Sequence, residues 1–310
     1  AGCIGSNLVA EPTRRGHTDI LLVDALGTDD KWKNLVGLHF EDLLTPHQFL
    51  DRLSRSDDTD TTAIIHLGAC SATTERDAGF LLENNTRYTR TLCEWSLAHN
   101  TRFVYASSAA TYGDGLLGYD DSEETTRRLR PLNMYGYSKH LFDLWALSHK
   151  LFDRIVGLKY FNVYGPHEEH KGDMRSVVHK AFGQIADHGW MELFKSDKPE
   201  YSDGGQMRDF IYVRDVVNVT LHFAEHREQG GLLNCGTGKA RSWNDLARAV
   251  FSAMGRPADI RYIEMPDLLK GKYQYFTEAQ IDKLRSAGYS APFTELEDGI
   301  RDYVTGYLQP

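Results

Sequence analysis

Arg102-Phe103-Val104-Tyr105-Ala106-Ser107-Ser108-Ala109-Ala110-Thr111-Tyr112-Gly113 carries the strongest signature in the chain. Its first half is a short, nearly continuous apolar run, the pattern of a strand buried on both faces of a parallel sheet. The run ends in two hydroxyl side chains and a turn closed by glycine. Downstream, Tyr135-Gly136-Tyr137-Ser138-Lys139 opens a helical segment. Tyr135 and Lys139 stand four apart, so they share one face of that helix. A free phenol titrates near ~10 and is a poor base at neutral pH, and a neighbouring ammonium favours the phenolate. Lys139 is therefore expected to lower the pKa of Tyr135. Ser108, at the strand end, is placed to hold a reacting oxygen. The three together suit removal of a proton from an alcohol while a hydride leaves its carbon. The Tyr-x-x-x-Lys spacing alone says little; with Ser-Ser-x-x-x-Tyr-Gly after a strand it becomes specific.

Further apolar runs over 19–24, 63–68 and 155–161 read as buried strands, with helical segments over 4–15, 46–53, 85–99 and 134–152 between them. That alternation means βαβ units and a doubly wound, Rossmann-type parallel sheet, an α/β fold. The second half mixes helices over 176–188, 215–228, 243–254, 277–287 and 295–307 with strands over 208–213, 232–235 and 259–263. Ser242 is a good N-cap for the third of those helices. The two lobes are interleaved in sequence: residues 1–163 with about 206–235 form the first, which lacks its first strand, and residues 164–205 with about 236–310 form a smaller α/β second.

The 310 residues are 41% hydrophobic and 25% charged, as in a folded globular protein. A chain above about 250–300 residues divides into more than one core, which fits two lobes. No apolar run reaches the roughly 18–20 residues of a membrane span. Thirty-five basic and 44 acidic residues leave a charge of −9 with no basic block, which argues against nucleic acid or an anionic membrane as partner. The four cysteines lie far apart, the usage of a reduced, cytoplasmic protein with neither disulfides nor a metal site.

Ala1-Gly2-Cys3-Ile4-Gly5-Ser6-Asn7 has two glycines three apart just before a helix. Glycine lets a phosphate approach the free N–H groups of a helix start. Asp24 ends the next strand, where an acid takes an adenosine ribose hydroxyl. Lys31 and Lys33 follow it; they are either cations for the additional phosphate of NADP or solvated surface lysines. A strand and one more glycine are expected ahead of Ala1, so Ala1 is read as a truncation. The sheet described without that strand would be unstable and bind cofactor poorly. Pro12 falls within the first helix, where it should cost about 3 kcal/mol or break the helix.

The segments AGCIGSN (1–7), HLGACSATTERD (66–77), YASSAATYG (105–113), PLNMYGYSKHLFD (131–143), KYFNVYGPHEEHKGDM (159–174), RDFIYVRDVV (208–217), NCGTGKARS (234–242) and LKGKYQYFTEA (269–279) span the whole chain. They resemble the extended short-chain dehydrogenases/reductases and, more narrowly, the ADP-L-glycero-D-manno-heptose 6-epimerase family. GACSATTE and GPHEEHKG are the segments that point to that branch.

The resemblance implies oxidation and re-reduction at the exocyclic carbon 6 of an ADP-heptose, with NADP (or NAD) kept bound. It implies Tyr135 and Lys171 as two acid/base groups, Lys139 tuning Tyr135 and reaching the cofactor ribose, and Ser108 facing substrate. Cofactor contacts are implied at Gly2, Cys3, Ile4, Gly5, Asp24, Ala25, Lys31, Leu67, Gly68, Ala69, Cys70, Ser71, Asn84 and Val163. Substrate contacts are implied at Asn162, Lys180, Phe194, Lys195, Ser196, Asp197, Arg208 and Tyr273. Arg208 suits a diphosphate, because a guanidinium fork matches paired phosphate oxygens; its ordinary alternative is a salt bridge with Asp209. The family also implies a homo-oligomer, a pentamer, in the biosynthesis of lipopolysaccharide inner-core heptose. Two alternatives stay open: a UDP-hexose 4-epimerase or dehydratase of the same superfamily, and a binding protein that kept the fold without catalysis. Ala109-Ala110 stand where a dehydratase carries an acidic pair.

Overall fold

The structure is a computed structural model that describes residues 1–14, 16–55, 60–267 and 273–309. Residue 15, the expected end of the first helix, and residues 269–272 of the last quoted motif lie outside the described residues.

The chain begins with helix α1 (Cys3–Arg14), strand β1 (Leu21–Val23), strand β2 (Asp42–Leu44) and helix α2 (Pro46–Ser54). Strand β3 (Ala63–His66) leads to helices α3 (Ala78–Leu81) and α4 (Tyr88–Ala98), joined through a π-helical stretch, Leu82–Arg87. Strand β4 (Arg102–Ser108), helices α5 (Glu123–Arg128) and α6 (Met134–Ser148), and strands β5 (Ile155–Tyr160) and β6 (Asn162–Tyr164) follow. Next come helix α7 (Val177–His188), strands β7 (Met191–Phe194) and β8 (Met207–Tyr212), helix α8 (Val213–Glu225), and strands β9 (Gly231–Cys235) and β10 (Ala240–Ser242). Helix α9 (Trp243–Ala253), strand β11 (Ile260–Ile263), and helices α10 (Asp282–Ser286) and α11 (Leu296–Tyr303) complete the described elements.

The expected parallel sheet is β3-β4-β5-β9, with every neighbour parallel. Both its faces are covered, which is why β5 is buried at all six positions. Val104, Val156, Leu158 and Leu233 pack against Val216, Val219 and Phe223 of α8. On the opposite face Phe103, Tyr105 and Ile155 meet Leu92, Cys93, Phe142 and Ala146 of α4 and α6. Strands β1 and β2 form a separate parallel pair. A further core gathers Val178 and Ile185 of α7, Leu246 and Val250 of α9, Ile300 and Tyr303 of α11, and Phe210 and Tyr212 of β8.

Helix starts follow local chemistry. Thr45 with Gln48 and Ser242 with Asp245 form reciprocal capping boxes. The Asn133 side chain accepts the Gly136 N–H at 2.8 Å and starts α6. Three expectations need correction. The helix expected over 277–287 is helical only at α10, because the residues before it serve β8. Met207 N–H donates to the Tyr275 carbonyl, and Thr277 N–H donates to the Met207 carbonyl. The helix expected from residue 85 is preceded by α3, where the Asp77 side chain caps the Phe80 N–H. Pro12 does not break α1, which runs on to Arg14. It sits in the last turn, where the missing N–H forfeits one helical bond and the helix is about to end. Strands β2, β6, β7 and β10 have three or four residues each and carry too little pattern to be legible.

Candidate active site

The residues expected to do chemistry gather at the carboxyl ends of β3, β4 and β5, where open α/β sheets bind ligands. Ser108 ends β4, and its Oγ accepts the Ala110 N–H at 3.1 Å. Tyr135 stands in the first turn of α6, beside Ser108. Gly136 lets that turn approach: a Cβ there would lie 2.7 Å from the Ala110 carbonyl oxygen. Gly136→Ala is therefore expected to push α6 off the β4 turn. Stability should fall by about 1–3 kcal/mol, read as a lower thermal midpoint, with turnover lost as well. Parent-like values for both would remove Gly136 from this role.

Lys139, one turn on, is 3% exposed and donates to the Ala106 carbonyl at 2.8 Å. An ammonium carries three donors, so this bond leaves two for a ligand. Burial brings its pKa down to about 8, with the nearby Asp143 working against that shift. The expectation that Lys139 lowers the Tyr135 pKa is not met. Burial of the phenol dominates and raises it, with Ser108 acting the other way. Lys139 is held by the β4 backbone and not at the phenol oxygen.

The glycine loop faces the same edge. The first intrahelical bond of α1 is Ser6 N–H to the Gly2 carbonyl, so the N–H groups of Cys3, Ile4 and Gly5 have no helical acceptor. Nothing lies within 4 Å of where a Gly5 side chain would project. This open helix start fits a dinucleotide diphosphate. Cys3 itself is buried, which raises its thiol to about 12, and it is not a reactive group. Asp24 takes Lys31 Nζ at 2.7 Å, and Lys31 also donates to the Ala25 carbonyl at 2.8 Å. Lys33 pairs with Asp30 on the surface.

Leu67, Gly68, Ala69, Cys70 and Ser71 form the partly exposed loop after β3. Asn85 holds that loop, bonding Cys70 N–H at 2.9 Å and its carbonyl at 3.0 Å, and donating to Ser138 Oγ at 3.0 Å. Sequence reasoning named its neighbour Asn84, which is exposed and donates to the Phe80 carbonyl. The π-helical stretch turns Asn85 inward, a rotation that an α-helical reading does not foresee.

Lys171 sits in a short turn, Glu169–Met174, that is kinked at Gly172, which takes a positive-φ conformation (φ 52°). The turn lies against the glycine loop. His167 Nδ1 is 2.9 Å from Ser6 Oγ, and Asn7 Nδ2 donates to the Pro166 carbonyl at 3.1 Å. Glu168, 1% exposed, accepts Ser176 N–H at 2.7 Å and stands 3.8 Å from Lys171 Nζ. Lys180 donates to the Asp173 carbonyl and thus braces this turn. Val163 and Asn162 flank it on β6, with Asn162 exposed.

Phe194, Asp197, Arg208 and Tyr273 come together around the rings of Trp243 and Tyr275. The Arg208 guanidinium lies 5.6 Å from the Trp243 ring and 5.3 Å from the Tyr273 ring. Trp243 Nε1 donates to Tyr273 OH at 3.0 Å, and Phe194 meets Tyr273 edge-on. Tyr275 stands beside Tyr273 and bonds Asp197. Arg208 has no salt bridge to Asp209, whose carboxylate is occupied by Thr237, Gly238 and Ala279. Among the described residues no carboxylate pairs with Arg208, although the side chain is buried. A buried guanidinium without an anion fits a phosphate ligand. Lys195 is turned to Glu264 at 2.7 Å, and the Ser196 N–H bonds Asp203. Sequence reasoning did not single out Trp243, Glu168 or Asn85. Only Glu168 stood within a quoted motif.

A family model for the NAD dependent epimerase/dehydratase family matches residues 1–236. The chain belongs to that family. Within it, the chain is 56% identical over 309 residues to the ADP-L-glycero-D-manno-heptose-6-epimerase of Nitratidesulfovibrio vulgaris strain DP4, covering 99% of this chain and 96% of the relative. It is 46% identical over 318 residues to the protein of the same name from Fusobacterium nucleatum, again covering 99% and 96%. The fold of this epimerase/dehydratase chain is similar to the crystal structure of the Helicobacter pylori ADP-L-glycero-D-manno-heptose-6-epimerase. The TM-score is 0.82 at 27% identity, over 98% of this chain and 93% of that one. No helix among the described residues is long and apolar enough to cross a membrane.

Proposed function

We propose that this chain interconverts the D-glycero and L-glycero forms of ADP-manno-heptose at carbon 6, with NADP retained between the two half-reactions. The observation that carries the reading is the convergence of Ser108, Tyr135 and Lys139 on the sheet edge that the Lys171 turn and the open start of α1 also face. Full-length relatives named for this reaction support it.

The bound nicotinamide nucleotide supplies the place where a hydride is held and from which it returns. The chain does the rest. The N–H groups of Cys3, Ile4 and Gly5 take the dinucleotide diphosphate, and the two free donors of Lys139 take ribose hydroxyls. Tyr135 removes the proton from the carbon 6 hydroxyl, with Ser108 holding that oxygen. Lys171 gives or takes the proton when the oxygen lies on the opposite face. Two acid/base groups are needed because the two epimers direct their hydroxyls differently. Arg208, gripped between Trp243 and Tyr273, holds the substrate diphosphate while the sugar turns about its exocyclic bond. Asn162, Phe194, Lys195, Ser196 and Asp197 line the remainder. We further assign residues 1–163 with about 206–235 to the cofactor domain and the rest to the substrate lobe, of a cytoplasmic homo-oligomer that serves lipopolysaccharide heptose synthesis.

Proton NMR of the sugar signals tests this reading: cofactor-loaded protein is expected to equilibrate the two ADP-heptoses without added reductant. No interconversion by folded, loaded protein would sink it. The same measurement on UDP-hexoses separates it from a 4-epimerase. The rate is also expected to fall above about pH 8, where Lys139 loses its proton and with it the charge and a donor that hold the cofactor ribose. A rate that keeps rising past that point would take Lys139 out of the protonated role.

A further inference from the structure

The chemistry above leaves one buried charged pair unused. Lys159 on β5 and Asp143 on α6 have side chains that are 0% exposed, and Lys159 Nζ lies 3.0 Å from Asp143 Oδ2. Lys159 also donates to Thr111 Oγ1 at 2.7 Å. The Asp143 carboxylate accepts Tyr105 OH and Ser107 Oγ, each at 2.7 Å. One pair of side chains thus ties β4, the turn after it, β5 and α6. Apolar residues of similar volume would hold these elements together as well or better, because two buried charges carry a heavy desolvation cost. Stability alone therefore does not explain the pair.

Its position does. Ser107 directly precedes Ser108, Ala106 supplies the carbonyl that holds Lys139, and Asp143 lies one helical turn beyond Lys139. We propose that Asp143 and Lys159 are positioning residues for the acid/base site. They hold Tyr135, Lys139 and Ser108 in register and present a negative charge to the Lys139 ammonium. This rests on the functional reading given to Tyr135 and Lys139 above.

The charges around Lys139 are few. His66 of β3 faces it with its pKa pushed down to about 3 by burial, so it is neutral. Tyr135 on its own helix is a neutral phenol. Asp143 supplies the negative charge. Around Asp143 stand Lys159 of β5, Tyr105 of β4 as a neutral phenol, and His140 of α6, brought down to about 4 chiefly by burial and hence also neutral.

Asp143→Asn keeps the shape and removes the charge. In protein labelled at the lysine ε-carbon, NMR is expected to show Lys139 titrating about one pH unit lower. The alkaline limb of the rate profile should move with it. Turnover should fall about tenfold to a hundredfold, with substrate KM little changed, as for reacting groups displaced by a fraction of an ångström. Asp143→Asn with Lys159→Met removes the unpaired Lys159 ammonium that the single change leaves, so its thermal midpoint should rise from the single variant's toward the parent value while turnover stays low. The proposal is overturned if Lys139 titrates in Asp143→Asn as in the parent, or if the double variant regains its rate along with its stability. Should Asp143→Asn not fold, Ser107→Ala and Tyr105→Phe each remove one donor and keep both charges. Lower turnover at unchanged KM then supports the proposal, and parent-like turnover in both overturns it. If the parent itself does not interconvert the heptoses, the functional reading fails, and the Lys139 titration still decides whether Asp143 acts on it.

Discussion

Tyr135→Phe is expected to slow interconversion by about 10²–10⁴-fold, the range for losing a positioned general acid or base. The substitution removes one oxygen from a side chain that sits against Ser108 in the first turn of α6. Nothing in that turn depends on the hydroxyl, since α6 is started by Asn133 and seated by Gly136. Dinucleotide binding should therefore persist, because the start of α1 and Lys139 are untouched. Lys171→Met should act similarly, with one difference. Tyr135 remains able to serve the epimer whose hydroxyl it faces, so a half-reaction in one direction should survive. Single-turnover NMR with each epimer separately would show this asymmetry. Undiminished turnover in either variant removes that residue from the mechanism.

Asp209→Ala is expected to destabilise the chain by at least about 3 kcal/mol. The Asp209 carboxylate is fully buried and accepts the N–H groups of Thr237, Gly238 and Ala279 at 2.8, 2.9 and 3.0 Å. It also accepts the Thr237 hydroxyl at 2.8 Å. Burial pushes its pKa up and these donors hold it down. Alanine would take their shared acceptor from all four donors, of which the Ala279 N–H is buried and the other three are part-buried. The loop after β9 and the extended segment before α10 would both lose their anchor on β8, beside Arg208. The thermal midpoint should drop by several degrees, and substrate KM should rise more than turnover falls. A parent-like midpoint would mean that water or a rearranged loop replaces the carboxylate. Asp209→Asn should lie between, since one amide oxygen still accepts while the amide NH₂ faces two donors.

Much of this was legible in one dimension. The run 102–108 announced a doubly covered parallel strand, and β4 is that strand. Tyr135 and Lys139 were readable as one helix face because an α-helix fixes which residues share a side. Ser242 was readable as a cap because capping is local chemistry. What stayed hidden depends on partners distant in sequence. The extended path of 275–279 exists because Met207 and Asp209 on β8 take its hydrogen bonds. Asn85 turns inward, in place of Asn84, because a π-helical stretch adds a residue to the turn. The sign of the Tyr135 shift was missed because spacing brings a lysine near a tyrosine without saying how dry the phenol is, or that Lys139 bonds Ala106 instead.

By itself, then, the sequence determined the α/β alternation, the family, and which hydroxyl, phenol and ammonium are proposed for the chemistry, since all of these follow from local periodicity and short motifs. Only the tertiary structure decided how those groups are charged and held. It placed Arg208 beside two rings with no carboxylate partner among the described residues, set Glu168 beside Lys171, and buried Lys159 of β5 against Asp143 of α6. Burial and long-range contact set the free energy of a charge, and neither is a property of neighbouring positions in a chain.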